Sequence, residues 1–177
     1  MKRLMPAIDA VLKWLVIIFM GANVLNVLWQ VFTRFVMDSP STFTEELARY
    51  LLIWVSFLGA AYAYRKRIHL AVEVISQRLE GNKHNYLQIF IQAVIFVFSL
   101  FVLVIGGWDL TSMSFEMSQI SPALQINIGY IYMVIPISGI LFMYYSLIFI
   151  GEYRKKLRGE ESELLDELET SQPQTAE

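Results

Sequence analysis

The sequence predicts an all-α membrane protein with four transmembrane helices. Both termini fall on the cytoplasmic side, and interfacial amphipathic helices lie near the N-terminus and in the central cytoplasmic loop. Three observations carry this prediction. The 177 residues are 56% hydrophobic and 17% charged, with a mean hydropathy of +0.50, too apolar for a soluble domain of this size. Four apolar stretches, at about 14–33, 47–64, 87–107 and 128–150, are each long enough to cross most or all of a hydrocarbon core of about 30 Å at about 1.5 Å per residue. Twelve of the 14 Lys and Arg fall in the N-terminus, the central loop and the C-terminal flank, and only Arg34 and Arg49 fall on the other side. An excess of Lys and Arg marks the cytoplasmic side, so this distribution places both termini inside. Residues 1–158 read as one integral membrane domain, and 159–177 as an acidic cytoplasmic tail that stays solvated and disordered.

The same composition excludes several functions. A net charge of −2 gives no basic field for nucleic acid. Without cysteine there is no disulfide, iron–sulfur cluster or cysteine zinc site, and two histidines do not make a metal site unaided. The chain has no phosphate-binding glycine loop, no His-Glu-x-x-His and no nucleophile–base pair. No catalytic residue, metal ligand or cofactor is therefore expected, and the chain does not read as an enzyme. No charged residue falls at the depth of the bilayer midplane, where ion and proton pathways usually keep one.

The elements follow in order. Lys2, Arg3 and Lys13, with Leu4, Ile8, Val11 and Leu12 at helical spacing, suggest a surface helix over residues 1–13. A signal peptide competes poorly, because the apolar run is too long and no small-x-small cleavage site follows. In the first crossing Asn23, Asn26 and Gln30 share a face, which must meet protein, either this chain's own bundle or another subunit. Ser39-Pro40-Ser41 reads as a turn. Glu45 and Glu46 then suit the first turn of the second helix, and Arg49 pairs with Glu45 at i−4. Ser56, Gly59, Ala60 and Ala63 give that helix a small-residue face of the kind that lets helices approach closely. Trp54, eight residues past Glu46, is about 12 Å deep, below the interfacial aromatic belt. It either packs internally or fits a partner helix.

Arg65, Lys66 and Arg67 open the inner loop. Ile68, Ala71, Val72, Ile75 and Leu79 form one stripe of a second interfacial helix, with His69 opposite, and His84 also lies at the inner interface. Gln88, Gln92 and Ser99 share a face of the third crossing, and Trp108 marks its outer edge. The outer loop at 108–127 carries Ser121-Pro122, which breaks any helix there. Pro136 should kink the fourth crossing, and Arg154, Lys155, Lys156 and Arg158 close it on the inside.

Two segments carry a resemblance. Thr44-Glu45-Glu46, Arg49, Trp54, Gly59-Ala60-Ala61, Ala63, Arg65 and His69 form one. Ser121-Pro122-Ala123-Leu124-Gln125-Ile126, with Tyr132 and Pro136, forms the other. Together they resemble the small membrane subunit (Q-type, the small permease component) of tripartite ATP-independent periplasmic (TRAP) transporters. Phe43 and Gly129-Tyr130 depart from the family pattern, which commonly has Trp at those points. The resemblance implies a scaffold subunit of the bacterial inner membrane, paired with a large elevator-type membrane subunit. It implies sodium-coupled uptake of an organic acid, a C4-dicarboxylate or a sialic acid, delivered by a transiently bound periplasmic binding protein. Glu45, Glu46 and Arg49 would brace the outer end of the scaffold. Two other functional classes remain open at this stage: a membrane anchor of a respiratory oxidoreductase, and a small self-associating exporter.

Overall fold

The computed structural model describes residues 5–36, 42–66 and 82–158. They form four helical rods, each long and apolar enough to cross a membrane. The first is α1, Met5–Val36, and the second is α2, Thr42–Arg65. The third rod joins α3, Asn82–Phe98, through a π-helical stretch, Ser99–Gly106, to α4, Gly107–Glu116. The fourth pairs a single turn, α5, Gly129–Tyr132, with α6, Val134–Leu157. The predicted turn at 39–41, the central-loop helix with His69, and the acidic tail lie outside the described residues.

The rods are longer than the predicted crossings. From Met5 on, the predicted N-terminal surface segment is continuous with the first crossing in one 32-residue helix. Its apolar stripe is used by the bundle itself, with Met5 and Leu12 each 3% exposed and Ile8 packed beside them. The third helix runs past Gly107 to Glu116. Its polar residues there are satisfied within the helix: Thr111 Oγ1 donates to the Gly107 carbonyl at 2.7 Å and Ser114 Oγ to that of Leu110 at 2.9 Å. The fourth rod is interrupted for one residue at Met133, which keeps helical dihedrals. The interruption lies three residues before Pro136, whose missing N–H leaves the Tyr132 carbonyl without its i+4 donor.

α6 is the hub. It packs on α2 on one side and on α3 and the π-helical stretch on the other, while α1 packs chiefly on α2. Small residues explain this position. A Cβ built on Gly139 would lie 2.7 Å from Leu103 Cβ and 2.9 Å from Val104 Cγ2, so α6 presses its backbone against the π-helical stretch. Gly107 meets Ile135 and Pro136 in the same way. Towards α2 the seam is aromatic: Tyr64 lies 5.1 Å from Phe142 and edge-on to Phe149 at 5.8 Å, ring centre to ring centre. The outward faces of α1 and the third rod are bulky and apolar, including Trp14, Leu25, Phe32, Phe90, Val94 and Phe101, as a lipid-facing surface requires.

Candidate functional site

One end of the bundle, the predicted outer one, is built from two distant segments. Residues 117–128 double back between α4 and α5. Ser121 N–H donates to the Ile126 carbonyl at 2.8 Å, and Ile128 N–H to that of Gln119 at 2.9 Å. Gln125 takes the left-handed conformation, φ 55°, which closes the turn sharply at a cost in strain. This leaves the amides of Ala123 and Leu124 pointing out of the turn. Both donate to Glu46 Oε2, at 2.9 and 3.0 Å. Tyr50 Oη donates to Glu46 Oε1 at 2.7 Å, and the buried Ser121 hydroxyl accepts from the Leu124 amide at 3.3 Å beside them. Two adjacent amides aimed at one oxygen form a backbone anion cradle, here filled by the chain's own side chain. Asn26 ties α1 into the same end by donating to the Thr44 carbonyl at 2.7 Å.

The predicted bracing residues therefore divide. Glu46 is held by the turn, whereas Glu45 and Arg49 form an exposed pair at 3.5 Å, with side chains 63% and 67% exposed. Such a pair contributes at most about 1 kcal/mol. Gly129 follows the turn, and its departure from the family pattern has a steric reason. A Cβ there would lie 2.7 Å from the Phe115 ring, which packs edge-on against Tyr130 at 5.1 Å.

The predicted packing face divides too. Trp54 is half-buried and meets Phe19 of α1 edge-on at 5.7 Å. It lines an apolar groove of about 260 Å³ with Phe19, Leu47, Tyr50, Leu51 and Tyr130. Ser56, Gly59, Ala60 and Ala63 lie on the opposite side of α2, in line with the exposed Glu45, Arg49 and Leu52. Among the described residues, nothing lies within 4 Å of a Cβ built on Gly59.

Towards the other end, the predicted inner one, a polar belt links all four rods. Tyr64 Oη donates to Gln92 Oε1, and Ser146 Oγ donates to the Gln92 carbonyl at 2.6 Å. Beside them Arg65 Nε sits 3.1 Å from Asp9 Oδ2, and Tyr145 Oη donates to Asp9 Oδ1 at 2.9 Å. The predicted amide faces thus meet this chain's own bundle at Asn26 and Gln92. Gln88 is buried, and Asn23 and Gln30 are half-buried on the same side of α1 as Asn26. Arg65, predicted at the inner interface, is buried in an ion pair. Sequence reasoning misses Asp9, although a signal exists: it shares a stripe with Met5, Leu12 and Val16. It also misses Tyr145, Ser146 and the turn amides, whose roles depend on tertiary placement.

The arrangement clamps helices together. The family model for tripartite ATP-independent periplasmic transporters, DctQ component, matches residues 23–155. The chain belongs to this family. It is a TRAP transporter small permease subunit and a multi-pass membrane protein. It is similar to a TRAP transporter small permease protein of Haemophilus influenzae, 28% identical over 141 residues, 80% of this chain and 86% of that one. It is also similar to the sialic acid TRAP transporter small permease protein SiaQ of Vibrio cholerae, 24% identical over 159 residues, 90% of each chain. A third relative is the isethionate TRAP transporter permease protein DctMQ of Oleidesulfovibrio alaskensis. There the identity is 33% over 103 residues, 56% of this chain but only 16% of that protein. The family match includes both the Glu46 helix and the Ser121–Ile126 turn.

Proposed function

We propose that this TRAP small permease is a fixed scaffold for a large elevator-type membrane subunit, and that the outward face of α2 receives that subunit. The observation carrying this reading is the contrast between faces. α1 and the third rod present bulky apolar side chains outward. α2 presents Ser56, Gly59, Ala60 and Ala63 beside the exposed Glu45–Arg49 pair, with open space at Gly59. Small residues that admit a neighbouring backbone are what helix–helix interfaces in membranes use. The DctMQ relative supports a large partner, because the match accounts for about a sixth of that protein. Positive-inside charge supports a bacterial inner-membrane protein with both termini cytoplasmic. Relatives named for sialic acid, C4-dicarboxylate and isethionate support uptake of a small organic anion, with a C4-dicarboxylate or a sialic acid as the leading classes. Sodium coupling and delivery by a periplasmic binding protein follow the family resemblance, and the Glu46-braced turn is the part of this chain suited to meet that protein.

The test is co-purification and uptake. Deleting the chain should abolish uptake in proteoliposomes that hold the large subunit and its binding protein. Gly59→Leu should lose the large subunit on affinity purification, while the variant chain itself accumulates and unfolds at the parental temperature. Uptake unaffected by the deletion overturns the scaffold. Parental recovery of the large subunit with Gly59→Leu overturns the assignment of this face.

A further inference from the structure

Asp9 lies outside the matched residues 23–155, yet its two carboxylate oxygens reach two residues inside them, Arg65 and Tyr145. We propose that Asp9, Arg65 and Tyr145 form a charge-dependent latch that docks the N-terminal turns of α1 onto the inner ends of α2 and α6. The Arg65 side chain is 9% exposed and that of Asp9 17%, and Tyr145 is fully buried. A guanidinium stays charged in a protein, so a buried one requires a counter-charge. Asp9 supplies it at 3.1 Å. Among the described residues the guanidinium is otherwise thinly supported: Nε meets Asp9 as an ion pair without hydrogen-bond alignment, Nη2 reaches the Met5 sulfur at 4.0 Å, and Nη1 has no hydrogen-bond partner. Tyr145 occupies the second Asp9 oxygen and so fixes the carboxylate's orientation. The neighbouring residue on each helix, Tyr64 before Arg65 and Ser146 after Tyr145, holds Gln92 instead. The latch therefore adds α1 to a three-helix core that is already tied together. Removing the charge of Asp9 leaves Arg65 buried and unpaired. The cheapest relief is for Arg65 to reach water, which pushes Met5 and the first turns of α1 off the bundle.

The chain contains no cysteine, so a single Met5→Cys reports on this opening without further changes and keeps a sulfur beside Arg65. Maleimide labelling in detergent is read on the purified chain and does not depend on the subunit reading. Met5 is 3% exposed, so the parent should label slowly. Asp9→Asn should label at least tenfold faster, tenfold corresponding to about 1.4 kcal/mol of opening. The double variant Asp9→Leu/Arg65→Met replaces the pair with apolar groups and should return the rate to the parental one. Should Asp9→Asn fail to accumulate, the double variant must restore accumulation together with slow labelling. Parental labelling of Asp9→Asn, or a double variant that labels as fast or accumulates as poorly as the single one, overturns the latch.

Discussion

Gly139→Ala tests the packing argument most directly, because the structure gives both its sign and its size. The added Cβ would stand 2.7 Å from Leu103 Cβ, 2.9 Å from Val104 Cγ2 and 3.1 Å from Val104 N. Reaching ordinary contact at 3.4 Å requires the seam to widen by 0.7 Å, the difference between 3.4 and 2.7. Widening of about 0.5–1 Å forfeits a quarter to a half of the dispersion energy of the contacts involved. One obstacle is backbone and one is a Cβ, and neither rotates away. The cost therefore belongs in the upper part of the usual overpacking range, about 2–3 kcal/mol. Alanine recovers about 0.5–1 kcal/mol of helix preference over glycine. The net loss is about 1–2.5 kcal/mol, or a fall in Tm of roughly 2–10 °C for a chain of this length.

The assay is thermal unfolding of the purified chain in detergent, followed by tryptophan fluorescence. Gly21→Ala is the control, because nothing among the described residues lies within 4 Å of a Cβ there. It should gain about 0.5–1 kcal/mol from helix preference alone. Opposite signs at the two positions are the signature of a close seam between α6 and the π-helical stretch. A Gly139→Ala variant as stable as Gly21→Ala would refute the seam, and with it the role of α6 as hub.

Three further outcomes are expected. Glu46→Gln replaces an oxygen that accepts from Ala123 and Leu124, so amide exchange at those two residues should accelerate while exchange in α6 stays unchanged. Tyr64→Phe leaves Gln92 Oε1 without its buried donor and should cost about 1–2 kcal/mol in the same unfolding assay, whereas Arg49→Ala should change it by less than about 1 kcal/mol. Gly129→Ala should destabilise the chain, and Phe115→Leu should relieve most of that loss in a double-mutant cycle, because the Phe115 ring is the principal obstacle.

The four-helix architecture is legible in the sequence because a bilayer permits few alternatives: each apolar stretch must close its own backbone hydrogen bonds. Helix ends are less legible. Gly106-Gly107 reads as the end of a helix, yet Gly107 sits flush against Pro136 and the helix runs on to Glu116. The polar faces of α1 and α3 are readable as faces that avoid lipid, since an amide there is costly, but only tertiary placement shows Asn26 meeting Thr44 and Gln92 meeting Tyr64. Small-residue spacing marks Gly59, whereas the tight contacts within the chain are at Gly107, Gly129 and Gly139. Spacing shows where a backbone can be approached, and packing decides which backbone arrives. Both halves of the outer clasp stand out as motifs, but Glu46 and Ala123 are 77 residues apart and no local pattern joins them.

α2 is anchored at both ends. Outside, the Thr44 carbonyl is taken by Asn26 and the Glu46 carboxylate by the turn. Inside, Tyr64 reaches α3 through Gln92 and α6 through the Phe142 and Phe149 rings, and Arg65 reaches α1 through Asp9. A helix that hinged or slid would keep one end free, and each of these contacts would have to break for α2 to do so. A partner docked on its outward face therefore pushes against the whole bundle. Individual polar contacts between membrane helices are worth only about 0.6–2 kcal/mol. Rigidity must then come from placing several of them at the two ends of one element. Among the described residues the same distribution leaves Gly59 open, so on the proposed reading substitutions along Ser56, Gly59, Ala60 and Ala63 should remove the large subunit without loosening the bundle, and substitutions at Tyr64 or Glu46 should loosen the bundle without touching that face.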